Sequence, residues 1–147
     1  MSYEEKNTWV FAFIAPVGFI VYLVLLFTQL DGKPLAEADY VWPMLGTILG
    51  AIVAGILGGI VVGIVTGIAS GGKDDGKSDQ RDKQINRFGE YIGSAFLVMG
   101  ALGALVLAWF EAPHFWIANV LYLAFVLQAI LSSIAKLVAY RRGLHSW

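Results

Sequence analysis

Apolar residues in this chain are gathered into blocks instead of alternating with polar ones. Residues 9–30, 42–70, 88–110 and 115–140 are almost unbroken apolar runs. A half-buried strand alternates with period two, and a surface helix carries one apolar stripe. A long block that is apolar on every side belongs in a bilayer. Each block exceeds the ~20 residues with which a helix crosses the hydrocarbon core. The pattern predicts an all-α membrane protein, its four transmembrane helices forming two antiparallel hairpins within one domain over residues 1–147.

Interruptions within the blocks refine this picture. Pro16 and Gly18 predict a kink in the first helix, because proline removes a backbone donor and crowds the preceding turn. In the second block Gly55, Gly59, Gly63 and Gly67 recur every fourth residue. Such a smooth stripe lets another helix backbone come close, and predicts packing on a copy of this chain or on a larger membrane partner. Gly89, Gly93, Gly100 and Gly103 form a weaker stripe in the third block.

The third and fourth blocks are joined by a very short turn, so they should be antiparallel neighbours. Counting back from that turn sets Glu90 level with Lys136, Ser94 with Ser132 and Leu97 with Gln128. Gln128, Ser132 and Lys136 share one helix face, as do Glu90 and Ser94. A polar seam of these five residues is predicted, open toward the charged end of the chain. Polar groups at this depth either zip helices together or carry function. Asn119 points about half a helix turn away from Gln128, toward Thr47 or the first helix.

Charge then orients the chain. Lys6, Lys73, Lys77, Arg81, Lys83, Arg87, Lys136, Arg141 and Arg142 fall on one side of the blocks, and Lys33 alone on the other. By the positive-inside rule both termini and the 71–87 connection are cytoplasmic, and the 31–41 and 111–114 connections face outward. Tyr40, Trp42, Trp109 and Trp116 cluster at the outer boundary, where amphipathic rings favour the interface. In the 71–87 connection Ser78 is placed to cap the third helix, with Asp79 and Asp82 in its first turn and Asp79 paired to Lys83.

Composition removes other chemistries. The chain is 58% hydrophobic, above the near-half share of soluble domains, which agrees with the blocks. With no cysteine there are no disulfides, thiolate metal sites or cysteine nucleophiles. The run from Gly71 to Ser78 spells G-x-x-x-x-G-K-S, the phosphate-binding loop. That loop needs a buried strand before it, whereas an apolar block precedes it here, and Asp74 and Asp75 would repel phosphate. Nucleotide and nucleic-acid binding are not expected. Asp31, Glu37, Asp39, Glu111 and His114 lie on the outer side without metal-ligand spacing, so no metal and no cofactor is expected. No nucleophile stands beside a base, so no catalytic residue is assigned.

Gln80-Arg81-Asp82-Lys83-Gln84-Ile85-Asn86-Arg87-Phe88-Gly89-Glu90, His114-Phe115-Trp116-Ile117-Ala118-Asn119 and Ala135-Lys136-Leu137-Val138-Ala139-Tyr140-Arg141-Arg142 resemble a family of small four-helix bacterial membrane proteins. Its members carry an R-D-x-x-I segment before the third helix, here Arg81-Asp82-Lys83-Gln84-Ile85. Some occur beside small helix-turn-helix regulators, so the resemblance implies a bacterial inner-membrane location and a regulatory role.

These observations together predict a non-enzymatic interaction protein of the cytoplasmic membrane. It would assemble through the glycine stripe, as a homo-oligomer or with a larger membrane protein. Arg81, Asp82, Lys83, Arg87, Arg141 and Arg142 would contact a cytosolic regulator or anionic lipid. The four Asp residues of the middle connection weaken attraction to lipid and favour a protein. The alternative is a small oligomeric transporter or channel lined by the polar seam.

Overall fold

The computed structural model of the chain describes residues 2–71 and 79–143. It consists of α1 (Tyr3–Thr28), a 3-10 turn (Leu35–Glu37), α2 (Val41–Ala69), α3 (Gln80–Trp109) and α4 (His114–Arg142). All four α-helices are long and apolar enough to cross a membrane, which makes this an all-α, multi-pass membrane protein. The Gly71–Ser78 match to a phosphate loop lies, after Gly71, outside the described residues.

Two helices begin well before their apolar blocks, and their caps explain why. Ser2 accepts a hydrogen bond from the Glu5 amide at 3.2 Å, and Glu4 and Glu5 face the positive end of the α1 dipole. α3 is capped by Asp79; Ser78, the predicted cap, lies outside the described residues. Asp79 accepts from the Gln80 amide at 2.6 Å, while Asp82 reaches back to the Asp79 amide at 3.2 Å. This reciprocal capping box engages the Asp79 carboxylate with backbone amides, in place of the predicted pair with Lys83. α1 is a continuous helix through Pro16.

The α3–α4 turn is built for brevity. The Glu111 amide donates to the Ala108 carbonyl, and the Ala112 amide to the Leu107 carbonyl. That pair of bonds is a Schellman motif, with Glu111 in the left-handed region at φ 53° where glycine is usual. Pro113 then starts α4.

Packing runs from α2 to α1, from α1 to α4 and from α4 to α3. α3 meets α4 in reverse order along its glycines. A Cβ built on Gly89 would strike Lys136 and the Ser132 carbonyl, one on Gly93 the Gln128 carbonyl, one on Gly100 the Ala124 side chain. The stripe that looked weaker in the sequence is therefore the one where two backbones come closest. On α2, Gly55, Gly59 and Gly63 lie against Phe11, Asn7 and Tyr3 of α1, whereas Gly67 faces open space.

The core joins α1 and α4, with Tyr22, Leu26, Phe115, Tyr122 and Val126 buried together. Tyr22 and Tyr122 meet edge to face at 5.0 Å between centroids. Their hydroxyls are satisfied: Tyr22 donates to Asn119 Oδ1, and Tyr122 shares a 3.1 Å hydrogen bond with Thr47 of α2. Much of the remaining apolar surface, including Ile56, Val61, Ile64, Val98 and Leu102, is exposed in the isolated chain. On a soluble protein that surface would aggregate, and in a bilayer it meets acyl chains.

Candidate functional site

The polar site follows from the close α3–α4 approach. With Gly89 and Gly93 bare on either side of it, Glu90 reaches across to α4. Its Oε1 accepts from Lys136 Nζ at 2.6 Å and from Ser132 Oγ at 3.2 Å, and its Oε2 from Gln128 Nε2 at 3.5 Å. Four of the five seam residues thus come together. Ser94 does not: its hydroxyl bonds the Tyr91 carbonyl of its own helix at 2.9 Å. One residue past Gly93 on the helix, its short side chain points off the contact face, while Glu90 spans the same offset by its length.

Lys136 is mostly enclosed, with 15% of its side chain exposed, against 52% for Glu90. The open side of Glu90 borders a cleft of about 330 Å³ where α1, α3 and α4 meet. α1 lends it Glu4, Asn7, Thr8 and Phe11, α3 lends Asn86 and Glu90, and α4 lends Gln128, Ala129, Ser132, Ser133 and Lys136. Asn7 Oδ1 is buried against the Gly59 backbone, without a hydrogen-bond partner among the described residues. The cleft thus combines carboxylates, one ammonium group and neutral hydrogen-bonding groups, a set suited to holding a charged or zwitterionic group.

A second polar cluster closes the same end of the bundle. Asp82 is 8% exposed and accepts from Tyr140 Oη at 2.9 Å and from Ser2 Oγ at 3.4 Å. Arg81 donates to the Tyr140 carbonyl at 3.3 Å, and Arg141 lies over the Trp9 ring at 5.8 Å. Lys6 donates to Thr66 of α2 at 3.2 Å. Arg81, Asp82 and Arg141, predicted as contacts for a partner, make these contacts within the chain, with Asp82 buried and Arg81 and Arg141 exposed. Lys83, Arg87 and Arg142 are exposed, and no ion pair engages them among the described residues.

Sequence reasoning missed Glu4, Asn7, Thr8, Asn86 and Ser133 in the cleft, and the Ser2–Asp82–Tyr140 cluster. The Asp-x-x-Asp spacing of Asp79 and Asp82 was a readable signal for the capping box. Nothing in the sequence placed the first turns of α1 beside α3. Comparison with protein-family models, with curated proteins and with solved structures finds no match for this chain.

Proposed function

We propose that this chain is a non-enzymatic regulatory or accessory subunit of the bacterial inner membrane, with both termini in the cytoplasm. The segregation of Lys and Arg supports that orientation, since Lys33 alone lies at the opposite end. The observation that carries the role is the exposed face of the first two turns of α3. Asp79 is engaged in the cap and Asp82 is turned inward, so Gln80, Lys83, Gln84 and Arg87 line a shallow groove with no acid among its described lining residues. Two of the four Asp residues expected to weaken attraction to anions are therefore absent from this face. It suits an acidic segment of a cytosolic partner or the anionic headgroups beside it. A membrane partner would pack on α2. There, a Cβ on Gly46 or Gly50 would meet nothing, because both line an open cleft of about 280 Å³ between α1 and α2, while Gly55, Gly59 and Gly63 are already against α1.

The test is gentle extraction followed by native mass spectrometry of the complex. A stoichiometric partner that is lost on joint Lys83→Gln and Arg87→Gln substitution is the expected result. Partner binding unchanged by that pair would overturn the role given to this face.

A second function is favoured by the cleft at Glu90: a small oligomeric transporter, with the cleft as its entrance. A homo-oligomer with no second protein, and a solute flux in liposomes that falls in Glu90→Gln, would select it.

A further inference from the structure

The polar cleft has an apolar neighbour. A second cleft of about 320 Å³ adjoins it, bounded by Ile48 and Ala51 of α2 and by Tyr122, Phe125 and Val126 of α4. The two share Ala129 of α4. On α1 the first is lined by Glu4, Asn7, Thr8 and Phe11, the second by Ala15 and Gly18. These positions recur every three or four residues, so one face of α1 floors both clefts. The groove is polar near the chain termini and apolar toward mid-span. α3 walls its polar part and α2 its apolar part, and those two helices share no extensive contact that would close it.

A groove with a charged end and an apolar continuation matches an amphiphile. A soluble ion would leave the apolar cleft unused, and a neutral hydrocarbon would leave Glu4, Glu90 and Lys136 unused. The charged end carries both signs, which complements a headgroup that also carries both. We propose that the groove binds one aminophospholipid of the bilayer, with its primary ammonium on Glu4 and Glu90, its phosphate on Lys136 and one acyl chain past Ala129. Lys136 and Glu90, paired at 2.6 Å, are the groups that would make those contacts. The entering headgroup divides the pair and replaces each half with a charge-assisted hydrogen bond. This site is separate from the Lys83–Arg87 face and does not depend on a protein partner.

The test is native mass spectrometry of the delipidated, detergent-purified full chain, titrated with phosphatidylethanolamine, phosphatidylglycerol and phosphatidylcholine of identical acyl chains. Ethanolamine lipid should bind about tenfold more tightly than either of the others, because neither offers a hydrogen-bonding ammonium. Glu90→Gln and Glu4→Gln should each remove most of that preference. Ala129→Phe should suppress all adducts by blocking the junction. Should Glu90→Gln or Ala129→Phe fail to fold, Glu4→Gln still decides, since the Glu4 carboxylate accepts no hydrogen bond among the described residues and only its backbone carbonyl is engaged. Equal uptake of the three lipids, no uptake, or a preference intact in Glu4→Gln would overturn the proposal.

Discussion

The two glycine-lined contacts of this bundle look alike in sequence and differ in kind. At α3–α4 the glycines bring backbone to backbone: a Cβ on Gly93 would lie 2.8 Å from the Gln128 carbonyl oxygen, and one on Gly89 2.8 Å from that of Ser132. At α1–α2 the glycines receive side chains: a Cβ on Gly55 would lie 2.8 Å from the ring edge of Phe11, and one on Gly59 3.5 Å from Asn7. A carbonyl on a helix moves only if the whole helix moves, whereas a ring edge rotates about its own bonds. Regular spacing of glycines therefore does not report how close two helices come. The α3 glycines are less regular and more tightly constrained than those of α2.

The sharpest way to break this contrast is to fill both contacts equally. Gly93→Leu should cost about 3 kcal/mol, and Gly55→Leu about 1 kcal/mol, in reversible unfolding of the purified protein in mixed micelles. Equal losses would mean that the α3–α4 backbones can separate as easily as Phe11 can turn. Next in size is Asp82→Ala, which leaves the Tyr140 hydroxyl, Ser2 and the Asp79 amide without their shared acceptor. About 2 kcal/mol should be lost. Proteolysis should then cut first near the N-terminus of α1, if side-chain contacts are what hold α1 at that end. A smaller effect is expected at the seam. In a double-mutant cycle of Glu90→Gln and Lys136→Met, the coupling should be about 1 kcal/mol. It should also shrink as salt is raised, because Glu90 is half open to solvent. The smallest effect belongs to Gly67→Ala, which meets nothing and should change stability by less than about 0.5 kcal/mol. A large loss there would reveal a partner on the end of the α2 stripe.

The seam shows how far reading the sequence could reach. Glu90, Gln128, Ser132 and Lys136 could be aligned by counting because a short turn fixes the register of adjacent antiparallel helices. Ser94 failed because counting gives depth and not azimuth to within one residue. The α1 contribution to the cleft was invisible for another reason. Glu4, Asn7 and Thr8 precede the first apolar block and lie far in sequence from α3, so their meeting depends on how α1 leans on α4. Asp82 illustrates the same limit. It reads as a surface acid in a charged stretch, yet Tyr140 and Ser2 bury it.

By itself, the sequence determined that four helices form and that they belong in a membrane. Both follow from the length and apolar content of single segments, because a backbone in lipid must satisfy its own hydrogen bonds within each helix. Tertiary structure alone decided which glycines touch, which charges are buried and where a cleft opens. In lipid no hydrophobic force ranks one apolar helix face above another, so close packing and a few polar contacts make that choice, and these arise only once all four helices are assembled.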